Sequence, residues 1–278
     1  MPFFVIKGTF HVTGYSPDGD SIRFRADDET NWTKLAGPPV TLNAKRHAQL
    51  RLEAIDTLET HYRNTRQPPA MATRALDFLL QGLNITGVKW NDPQTKIMSA
   101  NDETEGYIIS RNVEPNRRPV AFVFAGEPPT TDGSSIFLTP EQLRASLNYQ
   151  SVEAGLAYPT YYKGLFPDLR DTLTEAASRA REAGLEIWAK DRTNDGFAVE
   201  GLESISEEHV ILPKLFRRLA EYLEVGGTVI GFKEFLEAKA EDITIISTAH
   251  FTHFDTVVEV EGNVVRMTER AENLVFEG

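Results

Sequence analysis

The sequence predicts an α+β protein, and three observations carry that prediction. Runs rich in β-branched and aromatic residues fill the N-terminal part, the first two joined at an Asp-Gly turn. A nearly unbroken apolar run, Pro119-Val120-Ala121-Phe122-Val123-Phe124-Ala125, reads as a strand buried on both faces, of the kind that lies inside a barrel. Between and after these, apolar residues recur at helical spacing in 70–80, 141–153 and 165–183. Beyond Asp195, two more helical stretches and several strands predict a small α+β appendage.

The first strand runs from Phe4 to Thr13 and stops at Tyr15-Ser16-Pro17-Asp18-Gly19-Asp20. Ser21-Ile22-Arg23-Phe24-Arg25 follows with Ile22 and Phe24 on one face and the arginines on the other. Asp18 belongs to turn chemistry. Asp20 opens the second strand, where its carboxylate can point at a neighbour. Residues 27–47 are polar and contain Pro38-Pro39, so they predict an extended loop. A strand then leads through Arg51-Leu52-Glu53-Ala54-Ile55-Asp56 into a turn at Thr57-Leu58-Glu59, with Glu53 expected on the surface.

Met71, Ala75, Phe78 and Leu79 share one face of a helix that ends near Gly82. After a short strand, Ile85–Trp90, residues 91–116 read as a second long polar insertion. Arg117-Arg118 stand before the apolar strand as strand-end charges or as an anion clamp. The helix Glu141–Glu153 is capped at Thr139-Pro140 and closed by Gly155. Tyr158-Pro159-Thr160-Tyr161-Tyr162 lies outside any helix and serves either packing or base stacking. Arg192 to Gly196 is turn-rich and predicts a boundary, dividing the chain into 1–195 and 196–278. In the second part, helices are expected over 206–225 and 232–240, and strands over 243–254, 257–260 and 264–267.

The chain has 278 residues, 41% hydrophobic and 25% charged, which is the composition of a globular protein with a substantial core. Without cysteine it has no disulfides, thiolate zinc site or thiol nucleophile. No apolar run has membrane-spanning length, and Lys7 and Gly8 interrupt the N-terminal one, so a cytoplasmic protein without membrane contact is expected. The net charge of −12 opposes indiscriminate nucleic-acid binding. Its distribution matters: Lys and Arg number 22 against 25 Asp and Glu in 1–195, and 7 against 16 afterwards. The acidity sits in the tail, which suits a protein partner or self-docking.

Asp56, Thr57 and Glu59 place two carboxylates and a hydroxyl within four residues. Such a strand end is either a solvated terminus or a site where a hard cation finds several oxygens and one carboxylate remains for proton transfer. His250 and His253 fall on opposite faces of a strand and cannot chelate one ion together; the other histidines form no visible triad.

Taken in order, Asp18-Gly19-Asp20-Ser21, Arg51-Leu52-Glu53-Ala54-Ile55-Asp56-Thr57-Leu58-Glu59, Arg118-Pro119-Val120-Ala121-Phe122-Val123-Phe124, Leu147-Asn148, Val152-Glu153-Ala154-Gly155-Leu156-Ala157 and Gly184-Leu185-Glu186-Ile187-Trp188 form a pattern that resembles the thermonuclease family, the staphylococcal-nuclease-like domains. It covers about residues 3–191. The resemblance implies a five-stranded OB-type β-barrel with three helices and calcium-dependent cleavage of DNA or RNA phosphodiesters. It makes Asp20, Asp56 and the Thr57 carbonyl the calcium ligands, Glu59 the general base, and Arg51 and Arg118 the phosphate-binding cations. Tyr161 and Tyr162 fall where the family places aromatic substrate contacts. Leu58 departs from the family's proline, the two insertions flank the implied site, and the appendage lies outside the resemblance. The alternative function is a non-catalytic nuclease-like module that binds nucleic acid or protein.

Overall fold

Alternation of apolar and polar residues makes the first three strands, β1 (Phe3–His11), β2 (Ser21–Ala26) and β3 (Ala48–Leu52). The structure, a computed structural model, describes residues 2–92 and 94–277. With β4 (Thr104–Val113) and β5 (Pro119–Ala125) these strands close a five-stranded barrel. β1 pairs antiparallel with β2 and with β4, β2 antiparallel with β3, β3 parallel with β5, and β5 antiparallel with β4. The fold is α+β, a closed barrel with several helices.

Ile6, Phe10, Ile22, Phe24, Leu50, Ile108 and Phe122 are wholly enclosed, and the Phe10 and Phe24 rings lie 4.9 Å apart. Burial on both faces explains why β5 reads as continuous apolar sequence. Two glycines face one another where β1 crosses β4. A Cβ on Gly8 would sit 2.0 Å from the Arg25 carbonyl oxygen, and one on Gly106 would sit 2.4 Å from that of Phe124. The barrel wall coils too tightly there for any side chain.

β4 corrects the sequence reading, which made 91–116 an insertion. Its buried residues are Gly106 to Ser110 and the terminal Val113, separated by polar residues, and its identity as a strand comes from pairing with β1 and β5. The loop 27–47 holds a 3₁₀ turn, Glu29–Lys34, capped by the Asp28 side chain, which sets Trp32 edge-on against Phe24. The helix expected over 141–153 is two, α2 (Pro140–Arg144) and α3 (Leu147–Glu153), and the Ser146 hydroxyl at their junction donates to the Leu143 carbonyl. The strand expected over 243–254 is a hairpin of Asp242–Ile245 and His250–His253.

The chain forms two compact units. One contains the barrel: the residues up to Glu53 together with Leu76–Ser151. The other takes Ala54–Ala75 and the residues from Val152 onward, and the boundary falls within α1 (Pro69–Gly82). In the second unit Ile55–Thr57 pairs with Ala157–Pro159, and Tyr161–Tyr162 runs parallel to Leu274–Phe276. It also holds α4 (Pro167–Glu182), α5 (Pro213–Gly226) and α6 (Phe232–Lys239). Among the described residues no helix is long and apolar enough to cross a membrane.

On the barrel's outer wall His11 and His47 stack with ring centroids 3.8 Å apart, and the Tyr15 hydroxyl is hydrogen-bonded to His47 Nδ1 at 3.0 Å. Burial, the His11 ring and then Arg25, Lys45 and Arg23 depress the His47 pKa to about 4. The unfolded chain therefore binds a proton that the folded chain refuses, and stability falls as pH drops from the ordinary 6.5 towards 4. Compared with a His47→Gln variant in denaturant melts, the natural chain should lose stability as pH falls across this window.

Candidate functional site

The predicted continuous strand breaks between Glu53 and Ala54. Ala54 adopts φ 67°, and this left-handed residue turns the chain out of β3 into the separate strand Ile55–Thr57. The Ala54 carbonyl accepts from Thr160 N at 2.9 Å, which fixes the new direction against the Ala157–Pro159 strand. Asp56 lies opposite Tyr158 and is fully buried.

A fully buried carboxylate requires a compensating charge. Arg217, from the middle of α5, supplies it. Its Nη1 donates to Asp56 Oδ1 at 3.0 Å and its Nη2 to Asp56 Oδ2 at 2.7 Å, a two-pronged contact. The same Nη1 donates to Glu59 Oε1 at 2.5 Å. Burial alone would push the guanidinium pKa down; Asp56 and then Glu59 outweigh it and hold the pKa well above its ordinary value. Two carboxylates thus converge on one positive group whose side chain is 18% exposed.

Other side chains hold this arrangement. Gln67, itself fully buried, accepts from Glu59 N at 3.1 Å through Oε1 and donates to the Ile211 carbonyl at 2.8 Å through Nε2. One amide therefore fixes the Glu59 backbone and the entry to α5. The Thr193 hydroxyl accepts from Leu212 N at 2.8 Å, at the position just before the helix. Leu215, Phe216, Leu219 and Leu223 bury the apolar face of α5, as its periodicity predicts. Sequence reading missed both Gln67 and Arg217. A cation on an otherwise amphipathic helix carries no local mark of a partner 161 positions away.

The remaining predicted residues are placed as follows. Asp20 stands one residue before β2, and its carbonyl accepts from Leu52 N at 2.8 Å. Arg51 is half-buried on β3, in register with Ser21 on one side and Val120 on the other. Arg118 stands one residue before β5 and is ion-paired with Glu114, with its side chain 30% exposed. These three belong to the barrel unit; Asp56, Thr57 and Glu59 belong to the other. Thr57 is buried, and its hydroxyl has no hydrogen-bond partner among the described residues.

Tyr161 is fully buried; its hydroxyl donates to the Arg170 carbonyl and is hydrogen-bonded to Thr174, and burial raises its pKa. Tyr162 is half-buried, with its ring 5.8 Å from Phe276 and 5.5 Å from Lys214 Nζ. Among the described residues no group of three or more His, Asp or Glu side chains is placed to hold a metal ion together.

Glu53, expected on the surface, is 3% exposed, because the chain turns at Ala54 and folds both residues inward. Burial raises its pKa against the opposing pull of Arg111, 3.9 Å away, and Arg51. The folded state therefore holds a proton that the unfolded chain releases, and Glu53 contributes a loss of stability as pH rises above the ordinary carboxylate range. Glu53→Gln should remove that loss. In urea melts its stability relative to the natural chain should climb between acid and neutral pH.

A second patch lies on the outer face of the barrel. Residues His11, Arg23 and Gln49 stand side by side across β1, β2 and β3, and Arg25 follows beside Thr9. Arg23 lies over the Tyr15 ring at 5.1 Å and Lys45 at 5.9 Å.

Neither a protein-family model nor a curated protein matches this chain.

Proposed function

We propose that the chain is a cation-dependent nuclease on an OB-type barrel, cleaving phosphodiester bonds of DNA or RNA. The observation that carries this reading is the convergence of Asp56 and Glu59 on one positively charged group at the end of a short strand. Carboxylate oxygens are the donor type that calcium takes, and here Arg217 holds them. In the proposed active form Asp56, with the Thr57 carbonyl, would hold the ion. Bound calcium would polarise a phosphoryl oxygen.

The chain's own groups do the rest. Glu59 accepts a proton from the attacking water, and removal of such a base typically lowers the rate by about 10² to 10⁴. Arg51 and Arg118 hold the phosphate, with hydrogen bonds that strengthen as charge builds in the transition state. Loss of either should cost about 10² to 10³ in kcat. Arg23, Arg25, Lys45 and Tyr15 offer a path for the strand, and Tyr162, the half-buried one of the two tyrosines, offers a further aromatic contact.

Cleavage of a labelled single-stranded oligonucleotide, with calcium and with chelator, tests the reading. Calcium-dependent products that Glu59→Gln reduces by about 10² or more support it. Absence of cleavage from both the natural chain and a chain with Arg217 neutralised would overturn it.

A second reading is favoured by the same guanidinium: with both Asp56 oxygens bound to Arg217, the fold serves as a binding module without turnover. Oligonucleotide binding that is insensitive to calcium and to Glu59→Gln, without cleavage, would select it.

A further inference from the structure

We propose that the outer wall of the barrel carries a binding site for a terminal phosphate, free as inorganic pyrophosphate or at the end of a nucleic-acid strand, formed by Arg23, Arg25 and Lys45 around Tyr15. Such a site needs neither a metal ion nor cleavage, so it stands apart from the nuclease reading. Where that reading holds, it gives the strand a fixed end.

Charge pairing is the first observation. Several cations of the barrel unit meet carboxylates: Lys7 pairs with Glu127, Arg118 with Glu114, and Arg46, next in the chain to Lys45, with Glu29. Among the described residues Arg23, Arg25 and Lys45 form no ion pair, although the chain holds 41 Asp and Glu against 29 Lys and Arg. Arg23 is also half-buried, its Nε is enclosed without a hydrogen-bond partner among the described residues, and burial pushes its pKa down. A guanidinium taken out of water without a counter-charge has donors left for an anion.

The second observation is that the three charges act at one place. Arg23 and Arg25 stand on one face of β2, about 7 Å apart along the strand. Arg23 lies over the Tyr15 ring at 5.1 Å, and Lys45 Nζ, from the loop before β3, lies 5.9 Å from the same ring centre. Asn43 fixes both ring and loop. Its Nδ2 donates to the Tyr15 hydroxyl at 2.8 Å, and its Oδ1 accepts from Lys45 N at 2.9 Å and His47 N at 3.0 Å. After burial and the His11 ring, it is Arg25, Lys45 and Arg23 that depress the His47 pKa, so all three charges fall on one imidazole. The carboxylates on this wall lie to the other side. Glu103 and Asp102 act on His11, Asp102 is taken up by Val12 N and Thr13 N at 2.7 Å each, and Thr9 separates Glu105 from Arg25.

Three converging cations favour the more highly charged anion. A phosphomonoester carries about −1.5 to −2 at neutral pH and a backbone diester a single charge, and the attraction scales with the product of charges. Guanidiniums take phosphate oxygens in pairs. Arg23 is already held on Tyr15, while Arg25 and Lys45 are exposed and free to close on the ligand, which limits the cost of ordering the site to two side chains.

The test uses the full chain in chelator, where no cleavage intervenes, in four forms: natural, Arg23→Gln, Lys45→Gln and Arg46→Gln. The last removes a charge from the same loop that Glu29 already occupies. Calorimetry measures pyrophosphate binding, and fluorescence anisotropy measures a single-stranded oligodeoxynucleotide ending in a phosphate or in a hydroxyl. The expected result is a pyrophosphate affinity lower by about tenfold or more in Arg23→Gln and Lys45→Gln, and by less than about twofold in Arg46→Gln. The phosphate-ended oligonucleotide should bind about tenfold more tightly than the hydroxyl-ended one, and Lys45→Gln should abolish that preference.

Pyrophosphate binding with no preference between the oligonucleotides supports the site and assigns it to a free phosphate; the preference without pyrophosphate binding assigns it to a strand end. Neither pyrophosphate binding nor a preference overturns the proposal, and equal binding of the two oligonucleotides in that case means that only backbone phosphates are held. Equal losses in Arg46→Gln and the other two variants also overturn it, since diffuse charge then accounts for the binding. If Arg23→Gln does not fold, Lys45→Gln decides, because Lys45 is exposed; an affinity and preference equal to those of the natural chain overturn the site. Calcium-dependent cleavage by a chain that binds no terminal phosphate leaves the nuclease reading standing and removes only this site.

Discussion

Replacing Arg217 with glutamine is expected to lower the unfolding free energy by about 3–5 kcal/mol near neutral pH, the usual cost of removing one partner from a buried ion pair. The loss has two parts. Three charge-assisted hydrogen bonds disappear, and Asp56, fully buried, is left beside Glu59 with no positive charge from α5 to offset either. Two carboxylates in that position oppose each other's ionisation, so the variant binds a proton more readily folded than unfolded. Its deficit should therefore shrink as pH falls, because protonation removes charge that Arg217 no longer offsets. Urea melts of both chains from neutral to acid pH measure this. A deficit that is small at neutral pH, or constant with pH, would show that the ion pair is not what holds α5. Neutralising the whole group, Asp56→Asn and Glu59→Gln with Arg217→Met, should recover much of the loss, since a buried ion pair is worth little against a matched neutral set.

The second large effect is expected at Asn148, whose side chain is fully enclosed in the barrel unit. Its Oδ1 accepts from Val123 N at 2.9 Å, and its Nδ2 donates to the carbonyls of Glu53 at 2.9 Å and Ala121 at 3.1 Å. One amide thus ties α3 to β5 and to the end of β3, just before the chain turns at Ala54. Alanine would take this partner from the Val123 N–H and the Glu53 carbonyl, each worth about 1–3 kcal/mol when left unsatisfied, while the Ala121 carbonyl keeps its bond from Glu53 N at 2.8 Å. We expect a total loss of about 2–6 kcal/mol, less if water enters the space. Aspartate, nearly the same shape, should be no better near neutral pH: it still accepts from Val123 N but turns an acceptor towards two carbonyl oxygens. Acid should partly rescue the aspartate variant and not the alanine one, because a protonated carboxyl can donate to one carbonyl. Equal behaviour of the two variants across pH would remove the hydrogen-bond explanation and leave only lost packing.

Much of the barrel was legible because its signals are local. Asp18-Gly19 between alternating runs marked the β1–β2 connection, and the unbroken apolar run marked β5. β4 was not legible, since only its centre is apolar and the strand exists by virtue of the two neighbours it pairs with. The break at Ala54 was hidden for a related reason. Alanine rarely takes a left-handed conformation and gives no turn signal; the surrounding hydrogen bonds impose it. Glu53 was misjudged in consequence, because its face was counted along a strand that does not continue.

Of the candidate site, the sequence by itself determined the chemistry on offer: which residues are carboxylates, which are arginines, and the spacing that puts Asp56 and Glu59 at one strand end. Residue type and short-range spacing are properties of the chain, readable without a fold. Only the tertiary structure decided what meets those carboxylates. The partner is Arg217, 161 positions from Asp56, brought there because α5 must bury its apolar face and is tied at its entry by Gln67 and Thr193. Two buried negative charges select whichever cation the packing delivers, and no local pattern in the sequence names that cation.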